Sequence, residues 1–395
     1  MAKVALNPSI DFSLVQGGPL FQLLRWSHLL QPPTGFLGRR IFVITMFAWL
    51  PLLVLSAVQG NLIAGIAVPF LLDISAHVRF LVCIPLLVAA EVLVHARIRM
   101  IVRQFVERGI VAPADEPRFD ACVAAAMRLR NSIPAELLIL ALSITAGLVV
   151  DDRFVYMHTS SWFLTQVDSQ AAPTIAGYWY LYVSLAVLRF LLFRWYFRIL
   201  IWYIFLFRVA RTVPLQLNPL HPDHAAGLGF LTESSHAFQP LLIAHTAAIS
   251  GIIAGRIFFE SARLVDFKVE IAIWMIFLLL LVLAPLLFFT HLLARAKRAG
   301  NHQYGIVASH YVADFWTKWI KNHPNTNQHL LGTADIQSLA DLSDSYAVTR
   351  DMRLVPFEWA VVVRITVLTA IPLLPLLLTI ISLEELILRG LKVLL

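Results

Sequence analysis

Residues 177–205 read GYWYLYVSLAVLRFLLFRWYFRILIWYIF. At about 1.5 Å rise per residue, a helix of this length more than covers the ~30 Å hydrocarbon core of a bilayer. The stretch holds three arginines, Arg189, Arg194 and Arg198, and no acidic residue. A charged side chain inside a membrane costs a few kcal/mol, so such arginines face partners, water or a transported ion rather than lipid. The segment therefore reads as one helix of a polytopic membrane protein with a polar interior.

The rest of the chain agrees. Hydrophobic residues make up 59% and charged residues 14% of the 395 residues, against roughly 45–50% and 25% in ordinary soluble domains. Apolar windows long enough to span fall at 41–59, 78–96, 133–150, 177–205, 237–257, 270–292 and 359–382. The fold class is thus all-α, a bundle of about seven transmembrane helices. Pro51, Pro85, Pro285, Pro372 and Pro375 lie inside spans, where neighbouring helices satisfy the carbonyls that proline frees. The first 40 residues lack the pattern of a cleavable signal. Within them, residues 18–30 suit a short amphipathic helix on the membrane surface or packed against the protein's own loops.

Charge sets the expected orientation. Segments 1–40, 96–132, 208–236 and 294–358 hold twenty Lys or Arg, and the alternate segments hold five. The positive-inside rule then places the N-terminus in the cytoplasm, in a bacterial-type inner membrane. The expected organisation is a cytoplasmic segment 1–40, spans one to six over 41–293 with cytoplasmic loops 96–132 and 208–236, a cytoplasmic helical hairpin over 294–358, and a seventh span with an interfacial tail over 359–395. The hairpin turns at 323–327, and the tail from 383 to 395 is too short to cross. The net charge of +7 follows this topology along the chain, which argues against nucleic-acid binding. Cys83 and Cys122 have no CxxC spacing and support neither a disulfide framework nor a thiolate metal site.

Counted from the cytoplasmic ends, Glu91, His95, Glu136, Arg194, Arg198 and Arg364 fall in one half of the bilayer, Arg189 lies deeper, and His245 enters the fifth span. Two explanations suit such a layer. The carboxylates neutralise the arginines structurally, or the arginine excess lines a path or binding site for a small anion, since guanidinium joins permanent charge to a forked donor array. The spacing of five then four in the fourth span is not the regular three of a voltage sensor. His77, His95, His245 and His291 offer no fixed opposed pair, which disfavours haem.

A separate motif runs from Asn218 to Phe230, NPLHPDHAAGLGF. His221, Asp223 and His224, with Glu233 or His236, are residue types that bind divalent metal. The same run also suits a turn in which prolines stop one helix, Asp223 caps the next and glycines permit close packing. GxGxxG, GxxxxGK[ST], GxSxG and HExxH are all absent, so common nucleotide and hydrolase designs lack support. Ala247, Gly251 and Gly255 form a small-residue stripe for helix packing, within the subunit or in a homo-oligomer. Trp162, Tyr178, Trp179 and Tyr180 suit an interfacial aromatic belt. The expected activity is passage or binding of a small ion, anions favoured. The alternatives are a membrane-embedded sensor or metal-dependent enzyme centred on the His221–His224 loop, and a non-catalytic assembly subunit.

Overall fold

The computed structural model describes residues 12–17, 37–154, 161–167, 170–321 and 333–379. The surface helix expected at 18–30, the turn at 323–327 and the tail at 383–395 lie outside the described residues. The helices are α1 (Leu37–Val58), α2 (Ile74–Glu107), α3 (Glu116–Arg130), α4 (Ile133–Phe154), α5 (Ile175–Thr212), α6 (Glu233–Ala237), α7 (Gln239–Glu260), α8 (Leu264–Lys321), α9 (Asp335–Asp351) and α10 (Trp359–Leu377). Six helices are long and apolar enough to cross a membrane. A seventh is counted if the run 113–130 and 133–146, bent by 43° between its halves, forms one span. The window at 133–150 expected from sequence falls on the second half of that run.

α1 shows why these helices belong in lipid. Beyond Arg40 in its first turn, its buried positions are Thr45, Ala48, Leu52 and Ser56, at helical spacing and mostly small or polar, whereas Phe42, Phe47, Leu50, Val54 and Val58 point outward. Lipid removes the drive to bury large apolar groups, and small interior residues let backbones approach closely. α8 likewise exposes Ile273, Ile276, Phe277 and Leu280, although the residues it buries, such as Leu278, Val282 and Leu286, are large and apolar.

The structure extends the sequence reading at α8. The sixth span and the first arm of the expected hairpin form one helical run of 58 residues, tightened over Ala284–Phe289, where Pro285 removes a backbone donor. α9 packs back on α8 to complete the hairpin. Asp335 at its start accepts from Trp319 Nε1 at 2.8 Å and from Lys318 Nζ at 2.7 Å. Gly300 lies where α8 meets the 219 turn and α9, and a Cβ there would come within 2.7 Å of both Pro219 and Thr349.

Two local features were not expected. Leu164–Val167 and Gln170–Pro173 form a two-stranded antiparallel hairpin, pairing Leu164 with Pro173 and Val167 with Gln170. α2 and α5 each contain a π-helical stretch, at Val78–Cys83 and Tyr180–Ser184, and Arg79 Nη1 donates to Tyr180 Oη at 2.5 Å between them. Trp162, fully buried, donates to Asp73 Oδ2 at 2.9 Å beside these stretches. Its burial makes it a packing residue rather than a member of an exposed aromatic belt. Towards the Arg- and Lys-rich end, Phe12, Phe105, Phe119, Trp202 and Phe205 form an aromatic core linking the 12–17 segment, α2, α3 and α5.

Candidate functional site: a buried arginine layer

Arg194 and Arg198 are one turn apart on α5 and face the same way, toward Glu91 of α2. Like charges at this spacing repel unless something neutralises them. Glu91 does so: its Oε1 accepts from Arg198 Nη2 at 2.8 Å and from Arg194 Nη1 at 3.3 Å, and its Oε2 pairs with Arg40 Nη2 from the first turn of α1. All four side chains are at most 8% exposed. Glu136, near the start of α4, lies 3.8 Å from Arg194 Nε. The Arg198 guanidinium also lies over the Trp195 ring, 4.6 Å from its centroid, and the Trp195 indole donates to Leu87 O at 3.0 Å. Three helices, α1, α2 and α5, thus meet at the Glu91 carboxylate, and α4 joins them through Arg194.

Two cavities flank this layer. One, of about 710 Å³, lies between α1, α4 and α5; Phe47, Leu137, Leu140 and Phe190 contribute apolar walls, and Arg40, Glu91, Glu136 and Arg194 contribute polar groups. Phe47, Leu137 and Leu140 are also exposed, so this cavity opens on the apolar flank of the bundle. The other holds about 10 Å³ and is lined by Arg130, Glu136, Arg194, Arg198 and Gly17 among others, a space on the scale of one water molecule. Arg194 and Glu136 line both cavities. Among the described residues four arginines, Arg40, Arg130, Arg194 and Arg198, face two carboxylates, Glu91 and Glu136, leaving positive charge in excess. Arg40 Nε is buried with no hydrogen-bond acceptor among the described residues.

The structure brings together Glu91, Glu136, Arg194 and Arg198 as the sequence suggests. His95 lies alongside, its Nδ1 2.9 Å from Ser13 Oγ, next to Arg130, which donates to Ser13 O at 2.6 Å. Arg189 is half-buried further along α5 and lines neither cavity. Arg364 is exposed on α10 and does not join the layer. His245 is buried elsewhere. Its Nδ1 donates to Leu241 O at 2.7 Å, which leaves Nε2 to accept from the Tyr196 hydroxyl at 2.6 Å. Sequence reasoning passed over Arg40 and Arg130. Arg40 reads as half of an interfacial Arg39–Arg40 pair, and Arg130 as a loop charge; only the packing of α1 and α3 turns both inward.

The His221–His224 loop folds as a stapled turn. Asp223 accepts from the amides of Ala225 at 2.8 Å, Gly227 at 3.1 Å and Gly229 at 2.8 Å, and its Oδ1 lies 2.9 Å from His221 Nδ1. Burial alone would raise its pKa; the three amides and His221 outweigh burial and hold the carboxyl below its ordinary value. Arg353 bridges the turn to the segment before α10, donating through its amide to His224 O and through Nη2 to Asp223 O. His224 and Ala226 adopt positive φ of 50° and 52°, a left-handed conformation that this web of bonds supports. Glu233 and His236 belong to α6. Burial, with Arg364 and Arg97 nearby, lowers the His236 pKa against the pull of Glu233. Among the described residues no three His, Cys, Asp or Glu side chains gather as a metal site would require.

In the small-residue stripe Ala247 is buried, Gly251 abuts Ser75 and Val78 of α2, and a Cβ at Gly255 would meet open space. Compared with protein families, curated proteins and solved structures, the chain has no match.

Proposed function

We propose that this chain is a membrane protein that binds an anion at the Glu91-centred arginine layer and lets it pass between the two flanking cavities. The carrying observation is that Arg194 and Glu136 line both cavities within a layer holding more arginines than carboxylates. A passing anion would exchange with Glu91 or Glu136 for guanidinium donors, much as a filter replaces hydration with fixed ligands. Buried charge in a membrane helix is expensive to keep, and among the described residues two carboxylates would not cancel four arginines. The distribution of Lys and Arg supports an N-terminus in the cytoplasm of a bacterial-type inner membrane. Cysteines introduced into 96–132 are then shielded from impermeant thiol reagents in intact cells, and those introduced in 151–176 at exposed positions such as Thr165 and Ile175 react; the reverse pattern would overturn this orientation.

The function is tested with purified protein in sealed liposomes, measuring uptake of a panel of anions, from halide and phosphate to short- and long-chain carboxylates, against potassium as the cation control. Uptake of at least one anion above protein-free liposomes is expected. Uptake of potassium alone, or of nothing across several voltages and pH values, would end the reading.

A further inference from the structure

We infer that the anion is the head of a single-chain amphiphile whose alkyl chain lies in the 710 Å³ cavity between α1, α4 and α5. The inference rests on the anion reading above and specifies the chemistry of the ligand.

Three observations carry it. First, the cavity is apolar along its walls and charged at one end, where Arg40, Arg194, Glu91 and Glu136 gather. A hydrated inorganic ion gains nothing from such walls, whereas an alkyl chain exchanges lipid contacts for equally apolar ones and leaves its head to be held by the charged end. Second, the cavity has the dimensions of one chain. Its lining runs along α5 from Tyr182 to Arg194 and along α4 from Ile133 to Ile144, which at about 1.5 Å per residue is roughly 16–18 Å. That is close to half of the ~30 Å hydrocarbon core. The volume falls within the range of roughly 300–1,000 Å³ usual for small-molecule sites. Third, the charged end keeps donor capacity in reserve. Arg40 Nε is buried without an acceptor among the described residues, although Arg40 already pairs with Glu91 through Nη2.

The position of the charged end fits the same ligand. Arg40 lies in the first turn of α1, directly after Arg39, while Phe47 lines the cavity two turns further along the same helix. A head held at Arg40 and Arg194 therefore sits at the end of the span, with its chain pointing inward. The opening past Phe47, Leu137 and Leu140 gives entry from the lipid side without passage of the chain through water. A compact carboxylate or phosphate head on one chain matches this shape. A two-chain phospholipid shares that chemistry but would leave one chain outside the cavity.

The test uses full-length protein in phosphatidylcholine nanodiscs and a photoreactive hexadecanoate carrying a diazirine near the chain end. Saturable labelling is expected on peptides of α1, α4 and α5 that line the cavity. Unlabelled hexadecanoate should compete, and acetate, hexadecanol and phosphatidylglycerol should not. Arg194→Gln should weaken labelling by about tenfold or more, the scale of one lost charge-assisted hydrogen bond. Ala186→Phe, which fills the cavity two turns from Arg194, should abolish it while circular dichroism remains that of the wild type. Equal competition by hexadecanol would show that the head is not read, and equal competition by phosphatidylglycerol would assign the cavity to a membrane lipid; either overturns the inference. Anion uptake that responds to Arg194 without chain-dependent labelling would overturn the inference and leave the anion reading standing, whereas loss of both would end both.

Discussion

Replacing Glu91 by glutamine probes the layer at its centre. The substitution keeps the side-chain volume and one acceptor oxygen but removes the carboxylate that, among the described residues, alone touches Arg40, Arg194 and Arg198 together. At about 3 Å and an effective dielectric constant near 20, each close arginine contact is a gross attraction of roughly 5 kcal/mol. Arginine–arginine repulsion and the desolvation of every partner oppose this, so the measurable loss is smaller. Removing one partner of a buried ion pair typically costs about 3–5 kcal/mol, and Glu91→Gln should fall in that range, because three buried cations then share only the more distant Glu136. Thermal unfolding in nanodiscs, followed by circular dichroism, reads the loss. Glu91→Gln with Arg198→Gln restores the original net charge, so the double variant should be more stable than the sum of the single effects predicts, with a coupling of about 0.5–3 kcal/mol. A Glu91→Gln variant within about 0.5 kcal/mol of the wild type, the range of ordinary surface changes, would refute the reasoning. So would strict additivity in the double variant.

Gly300→Ala should destabilise by about 1–3 kcal/mol through overpacking, since its Cβ would meet Pro219 and Thr349 at 2.7 Å; an unchanged melting temperature would show that the α8–α9 crossing has slack. Asp223→Ala should loosen the 213–228 turn, seen as faster limited proteolysis there, because three amides lose their acceptor. Asp223 has a depressed pKa in the folded state, so its contribution is present above the ordinary carboxylate value of about 3.9 and is lost as pH falls below it; the wild type should acquire the same protease sensitivity on acidification, and Asp223→Ala should show no further change. Tyr196→Phe should cost about 1–3 kcal/mol in thermal unfolding by leaving the buried His245 Nε2 without its donor, while anion uptake stays at the wild-type level; altered uptake would place His245 on the path.

The all-α membrane bundle was legible because hydrocarbon length is a one-dimensional property of sequence, read directly from windows such as 177–205. Glu91, Glu136, Arg194 and Arg198 were legible for a related reason: charge within an apolar window has to find partners. Arg40 and Arg130 were not. Each lies next to a chain segment that reads as interface or loop, and only the tertiary packing of α1 and α3 brings them to Glu91 and Ser13. Arg364 erred the other way: it sits inside an apolar window, yet its helical phase turns it outward on α10. The His221–His224 run shows how composition can fit two chemistries. Its imidazole and carboxylate groups suit metal, but Asp223 is occupied by the amides of its own turn, a pairing set by the positive φ at His224, Ala226 and Gly227. The strand pair after α4 had no readable signal, since its residues, such as Leu164, Thr165, Gln170 and Ala171, show neither a strong alternation nor an Asn-Gly turn.

The most direct test of the arginine layer as an anion site compares Arg194→Gln with Arg364→Gln in the liposome uptake assay, using the anion that wild-type protein carries best. Both variants remove one arginine from the same protein, but Arg194 lines both cavities and Arg364 is exposed on α10. With protein content and circular dichroism matched, Arg194→Gln should lower anion uptake or its selectivity over potassium, and Arg364→Gln should leave both at the wild-type level. Equal uptake and equal selectivity in Arg194→Gln and wild type would contradict the account.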